Sequence, residues 1–488
     1  MQRIVVLVHR YLGIPMSVLF IAWFLSGIVM MYTRGMPALP PDAKRSTQAM
    51  PHPNAVLVEP SDAIPRNVAL AELEYLNLLG RPAYRYRAFS GTAGIVFADD
   101  GEPFTGADAD SGRRIAAGYL SVPLEDLSFA ALLDEADQWT LTERRHLPML
   151  KFDVRDAAGT SAYVSVSTGD VVMVTTRARR ALAWIGAIPH WLYVTPLRLQ
   201  QPVWYWTVVT LSAGGAVVSL LGLVLSVTGL RMTRPFRLRV SVPYRGLMRW
   251  HYFTGAACGV FVLTWVTSGL LSMEPFSWQR QPVLAVNDAE YHGGPLEPGS
   301  IDGIYAEAWR ANLIDRRTRS ARFVRILGEP HWLIDNEDPA VDGPRVVNAS
   351  TLEPRTEVFA VDRILARLRS ATGAGVVDAR LITEYDAYYY DREGRLPLPA
   401  LRVEMDDPAR TQFYVDVKTA AVAAVNDRFR RAQRWLFNGL HSLDFPFLYD
   451  RRPWWDITLI VLSLAGSALC AISAVLGVRR LRRAIRVR

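Results

Sequence analysis

Cysteine is nearly missing from this chain: 488 residues hold two, Cys258 and Cys470, both inside long apolar stretches. That excludes a disulfide framework, a cysteine-built zinc site and a CxxCH attachment motif. Lysine is almost as scarce, so the positive charge is carried by arginine, and the formal net charge is +8. No glycine-rich GxGxxG fingerprint follows a strand-like run, which argues against a flavin or nicotinamide domain within the chain. Histidine is sparse too, with eight in all.

What the sequence has in quantity is apolar residues, half of the total. Four stretches, roughly Tyr11–Thr33, Val203–Leu230, His251–Met273 and Ile457–Val478, each offer about 20 or more largely apolar residues, the length needed to cross a hydrocarbon core. Arginines crowd the short connection between the second and third stretches (Arg231, Arg234, Arg237, Arg239, Arg245, Arg249) and the tail (Arg479, Arg480, Arg482, Arg483, Arg486, Arg488). Short arginine-loaded segments stay in the cytoplasm, which places both termini inside and both long intervening regions outside. The basic residues abut hydrophobic spans rather than forming a separate patch, so nucleic acid is a poor partner for them. The N-terminal apolar run is too long for a signal-peptide core and reads as an uncleaved first span.

The expected organisation is a first span over 1–33, an outer region over 34–202, a second span over 203–230 and an arginine-rich inner loop over 231–250. A third span over 251–273, a second outer region over 274–456, a fourth span over 457–478 and a basic tail over 479–488 complete it. Runs such as Ala83–Arg87, Gly94–Phe97, Ala162–Val166 and Gln412–Val417 are rich in β-branched and aromatic residues and read as strands. Helical pieces are expected near Asn67–Leu79 and Val361–Ala371. The outer regions are thus expected to be α+β.

The two halves match. His251, Gly255, Trp265 and Gly269 each lie 242 residues after His9, Gly13, Trp23 and Gly27. Farther on, Tyr414, Arg431, Trp435, His441, Pro453, Trp455 and Gly466 each lie 251 residues after Tyr163, Arg180, Trp184, His190, Pro202, Trp204 and Gly215. Each half has two spans and begins inside, so the repeats run parallel, related by an axis along the membrane normal. Equivalent residues then share a depth. His9 can meet His251 near the inner face, and His190 can meet His441 near the outer face. Pairing His9 with His190 would require bridging most of the bilayer, whereas imidazole–metal bonds are about 2 Å long.

Facing imidazoles at membrane depth are what a bis-histidine haem site requires. Without CxxCH, such haem is b-type, and two are expected. The competing reading has the histidines capping helices or meeting headgroups. His146 corresponds to Pro397, and His52, His292 and His331 have no histidine counterparts, so these four read as solvated surface residues. Arg179-Arg180 and Arg430-Arg431, ahead of His190 and His441, could face haem propionates or lipid phosphates. Trp191, Trp204, Trp206, Trp454 and Trp455 read as interfacial anchors.

The His-Arg-Tyr-x-x-Gly start at His9, the His-Tyr-x-x-Gly start at His251 and the arginine–tryptophan stretches before His190 and His441 resemble the PepSY-associated transmembrane family. The resemblance covers essentially the whole chain. Tyr252 stands where that family often has arginine, and residues around Pro37–Pro60 are extra. It implies PepSY-like outer domains and a bacterial inner-membrane location. It also implies kinship with reductases of ferric siderophores that hold b-type haem between histidines. His9, His190, His251 and His441 would be the ligands, a ferric siderophore or other ferric chelate the acceptor, and a quinol or separate reductase the donor. The alternative is a non-redox membrane scaffold or sensor whose outer domains bind peptides or restrain a protease.

Overall fold

The computed structural model describes residues 2–33, 35–39, 49–228, 230–233, 237–240, 244–275, 284–336, 343–391 and 394–486. It divides into two compact units, one of residues 1–37, 178–280 and 429–488, the other of residues 38–177 and 281–428. The arginines at 234, 488 and within the 276–283 segment lie outside the described residues.

The first unit is built on four long helices, Gln2–Thr33, Gln201–Thr228, Leu247–Ser272 and Trp454–Arg486. Each is long and apolar enough to cross a membrane. The first packs on the second and fourth, and the third also packs on the second and fourth. Small residues let them close: a Cβ at Gly215 would sit 2.9 Å from Phe20 and Val266, and one at Gly466 2.8 Å from Phe24. Phe20, Phe24, Val218, Val262, Trp265, Val266, Trp455 and Leu469 belong to the shared core.

The helices start earlier than apolar length alone requires. His9 lies well inside the first helix, and His251 one turn inside the third. A charged first turn is compatible with a helix whose end reaches the headgroup region. Two of the tryptophans expected as anchors are instead buried. Trp204 and Trp455 are 8% and 2% exposed, and their indole N–H groups each donate at 2.9 Å to a carbonyl thirteen residues earlier, Trp191 and Ser442. Trp206 and Trp454 stay exposed. A buried indole needs an acceptor, and these two find one in the segment that carries each histidine.

The second unit takes strands from both intervening regions. Its six-stranded antiparallel sheet runs Arg345–Asn348, Glu329–Asn336, Thr318–Ile326, Leu70–Leu78, Arg81–Ala88, Ala93–Phe97. The central pairing sets Leu73 opposite Phe323 and Glu74 opposite Arg322, so one strand from each half meets in antiparallel fashion. The helix expected near Asn67–Leu79 is therefore a strand over Leu70–Leu78. Its alternation of buried Leu73 and Tyr75 with partly exposed Glu72 and Glu74 has period two, and that pattern overrides helix-forming composition.

Two four-stranded sheets share one strand order. The first runs Leu127–Leu133, Met149–Val154, Ser161–Ser165, Val171–Thr175; the second runs Val376–Ile382, Ala400–Met405, Gln412–Asp416, Val422–Asn426. Helix Ala109–Leu120 packs on the first, its N-terminus closed by a reciprocal cap between Asp108 and Ser111. Gly112 lets it approach, since a Cβ there would lie 2.5 Å from Leu150. Helix Val361–Thr372 buries Ile364, Leu368 and Ala371 in the core of the second.

Candidate functional site

Four imidazoles of the membrane unit form two couples. The rings of His9 and His251 lie 6.2 Å apart between centroids, and those of His190 and His441 6.0 Å apart. Neither couple is joined by a hydrogen bond. Along the first helix, Ser26, which touches His190, follows His9 by seventeen residues, or roughly 25 Å of rise. The couples are separate sites, His9 with His251 being termed inner and His190 with His441 outer after the sides expected from the sequence.

The outer couple rests on two matched seats. His190 ends the short helix Ala187–Trp191, and His441 lies in Leu440–Ser442. Each helix is closed by a leucine in left-handed conformation, Leu192 and Leu443. His190 Nδ1 lies 3.1 Å from both the Trp23 carbonyl and Ser26 Oγ. His441 Nδ1 lies 3.1 Å from both the Trp265 carbonyl and Ser268 Oγ. Ser26 and Ser268 donate their own protons to those same carbonyls, at 3.1 and 2.9 Å. Gly27 and Gly269 leave room for the rings, a Cβ at either falling 3.5 Å from the imidazole Cε1.

The inner couple is seated less symmetrically. His9 Nδ1 donates directly to the Val218 carbonyl at 2.9 Å, over Gly222, where a Cβ would lie 2.8 Å from the His9 ring. The position 251 residues later is Ser473, and its hydroxyl lies 3.1 Å from His251 Nδ1. Ser473 donates at 2.8 Å to the Leu469 carbonyl, the counterpart of Val218. A hydroxyl thus stands between carbonyl and imidazole in one half, and nothing does in the other.

These contacts settle the tautomers. A carbonyl oxygen can only accept, so Nδ1 of His9, His190 and His441 carries the proton. Ser473 Oγ also reaches the Leu469 carbonyl, and with its proton directed there His251 Nδ1 donates as well. All four rings keep the Nε2 lone pair, the form in which imidazole binds a metal. Among the described residues no hydrogen bond ends on any of these Nε2 atoms. Burial, with the charge of His441 adding to it, holds His190 down to about 4, and burial lowers His441 too.

The spacing can be tested against an axial pair. A nitrogen about 2 Å from a metal and about 1.1 Å from its own ring centre places two axial ring centres about 6.3 Å apart. The observed 6.2 and 6.0 Å fit. A second observation concerns Trp23 and Trp265, at matched positions on the first and third helices. Among the described residues their buried indole N–H groups have no acceptor, and buried donors normally have one. Among the described residues no cluster of three or more His, Cys, Asp or Glu side chains is placed to hold a metal.

A family model described as the PepSY-associated TM region matches residues 6–480. The chain belongs to this family. With its four long apolar helices it is a multi-pass membrane protein. No curated protein matches it.

Other sequence expectations fare variously. His52 is exposed and His146 and His292 are half-buried, but His331 is fully buried, its Nδ1 on the Glu329 carbonyl and its ring against Phe359. It is not a solvated surface residue. It lies in strand Glu329–Asn336 beside the equally buried Trp332, so both faces of the strand are covered there, which its lack of a counterpart could not reveal. Arg179 and Arg430 are exposed while Arg180 and Arg431 are half-buried, on helices Arg177–Ile185 and Arg428–Gln433. Sequence reasoning missed the Gly222/Ser473 contrast, although the constant offset held its signal. It also missed the buried ion pair of Arg434 and Asp444 at 3.3 Å, three residues past His441; Ala183 and Tyr193 occupy the corresponding positions.

Proposed function

We propose that this protein is a b-type dihaem electron-transfer protein of the bacterial inner membrane that reduces ferric chelates, ferric siderophores among them, on the outer side. The observation that carries the reading is the paired one: in both couples two imidazole rings lie 6.2 and 6.0 Å apart between centroids, and each Nδ1 is engaged by the chain, which would leave Nε2 to hold a metal. His9 with His251 would hold one haem, His190 with His441 the other. Bound there, haem would supply reversible one-electron transfer, which no side chain at these positions offers.

The chain's own contribution is placement. Val218, Ser473, Trp23 with Ser26, and Trp265 with Ser268 fix each ring's tautomer and orientation and raise its basicity as a ligand. Arg179, Arg180, Arg430 and Arg431, carried on the helices ahead of His190 and His441, would face propionates at the outer couple or lipid phosphates. One electron per chelate converts Fe(III) to Fe(II), and the hard oxygen donors of a siderophore hold the softer ion less tightly. A quinol or a separate reductase would supply the electrons.

Both termini are placed in the cytoplasm and the sheet-rich unit in the periplasm, on the arginine asymmetry of the short segments. The equal offsets and the equal strand orders support a parallel internal repeat. The test is spectroscopic. Protein purified from haem-replete cells should show a Soret band that shifts with dithionite and two haems per chain. His9→Ala and His190→Ala should each remove one haem, and the double variant both. A colourless, folded preparation would favour a scaffold or sensor instead.

A further inference from the structure

Strand Val376–Ile382 forms one edge of its four-stranded sheet, and no described strand pairs with its far side. Its sequence is Val-Val-Asp-Ala-Arg-Leu-Ile, and Val377 and Leu381 are half exposed, at 50% and 52%. Open edges are normally guarded by proline, lysine or like charges. Here neither proline nor lysine is present, and the two charges are of opposite sign on either side of Ala379.

That order is self-complementary under antiparallel pairing. With Ala379 as the centre, Asp378 of one copy faces Arg380 of the other, twice, and Val377 faces Leu381, twice. Opposite charges and apolar pairs across strands stabilise a sheet, and like charges destabilise it. Other registers do worse. Centring on Arg380 opposes two guanidiniums, and a half-residue slip sets Asp378 against Leu381. The bulge between Val376 and Asp378 lies at one end and leaves the central run regular. Asp378 already has Arg402 at 3.1 Å on the inner side, whereas Arg380 faces another arginine, Arg402, across the neighbouring strand and gains from an added carboxylate.

The equivalent edge of the other sheet, Leu127–Leu133, lacks this property. It carries no charge, and self-pairing about Ala130 would set Ser128 against Leu132. The chain also offers a precedent, since the central strands of its six-stranded sheet join in the same antiparallel way.

We propose that Val376–Ile382 is a homodimer interface, pairing antiparallel with the same strand of a second copy about Ala379. A closed two-fold contact of this kind is isologous, with the same patch used by both partners. It stands whether or not the histidines carry haem.

Paired strands bring opposed Cα atoms to about 4.5–5.5 Å, within disulfide range. In membranes carrying the full chain with Cys258→Ser and Cys470→Ser, Ala379→Cys should form a reducible covalent dimer under mild oxidation. Val377→Cys and Leu381→Cys should each fail alone and cross-link when co-expressed. Arg380→Asp should shift the detergent-solubilised protein from dimer to monomer mass, and Asp378→Arg with Arg380→Asp should return it to dimer. Monomer mass for the unmodified chain, or cross-linking of Ala379→Cys to Ala130→Cys in place of itself, would overturn the proposal.

Discussion

Ser473 offers the sharpest test of how the inner couple is held. Its hydroxyl accepts the His251 Nδ1 proton at 3.1 Å and passes its own to the Leu469 carbonyl. Ser473→Ala keeps the Cβ and removes the acceptor, leaving a buried N–H unpaired at a cost of about 1–3 kcal/mol. If the inner couple holds haem as proposed, then at about 1.4 kcal/mol per tenfold it should bind haem about 5- to 150-fold more weakly. Ser473→Gly is the larger deletion and should do less harm. It recreates the arrangement of the first half, where Gly222 lets His9 reach the Val218 carbonyl directly at 2.9 Å. His251 could then reach Leu469 in the same way. A glycine within a helix costs about 1 kcal/mol, but that cost falls on the helix rather than on the ligand. Titrating haem into haem-depleted protein, with the outer site serving as internal reference, gives both affinities. Equal losses in the two variants, or a greater loss in the glycine variant, would refute this account of the seat.

Gly222→Ala should weaken the inner site by blocking the His9 ring, at about 1–3 kcal/mol for an overpacked contact. Gly222→Ser should recover part of the loss by supplying the second half's hydroxyl, and Gly27→Ala, with its Cβ in ordinary contact at 3.5 Å, should leave the outer site intact; haem content per chain reads all three. In the sheet unit, Gly112→Ala drives a Cβ to 2.5 Å from Leu150 and should destabilise that unit by about 1–3 kcal/mol, seen as earlier proteolysis in a temperature series on the full chain. Asp99 is held below the usual carboxylate range by hydrogen bonds from Arg81, so its contribution is present above the ordinary value of about 3.9 and lost as pH falls through the depressed one. The difference in Tm between Asp99→Asn and the unmodified chain should hold from neutral pH to about 5 and shrink at lower pH; a difference that grows on acidification would contradict the pairing.

The four long helices were legible because about 20 apolar residues in a row leave few alternatives. Equal offsets picked out which imidazoles come to lie together. Tautomers were not legible, because they depend on whether a carbonyl, a hydroxyl or nothing lies beside Nδ1. The strand at Leu70–Leu78 was misread because its leucines and glutamates are good helix formers, and only pairing with Thr318–Ile326 reveals its period. An indole at a span's start is usually an interfacial anchor, and Trp204 and Trp455 depart from that rule. What buries them is a carbonyl thirteen residues upstream, which no local pattern announces. That the two outer regions share one sheet was likewise invisible, because strand partners 250 residues apart leave no local trace.

The contrast between Gly222 and Ser473 has a wider consequence. An assembly of two identical subunits must repeat any change on both sides of its axis. A single chain that carries both halves is free of that restriction. Here one imidazole leans on a rigid backbone oxygen and its opposite number on a rotatable side chain, so the two can differ in electron-donating strength. Selection can then adjust one face of the inner centre and leave the other as it was.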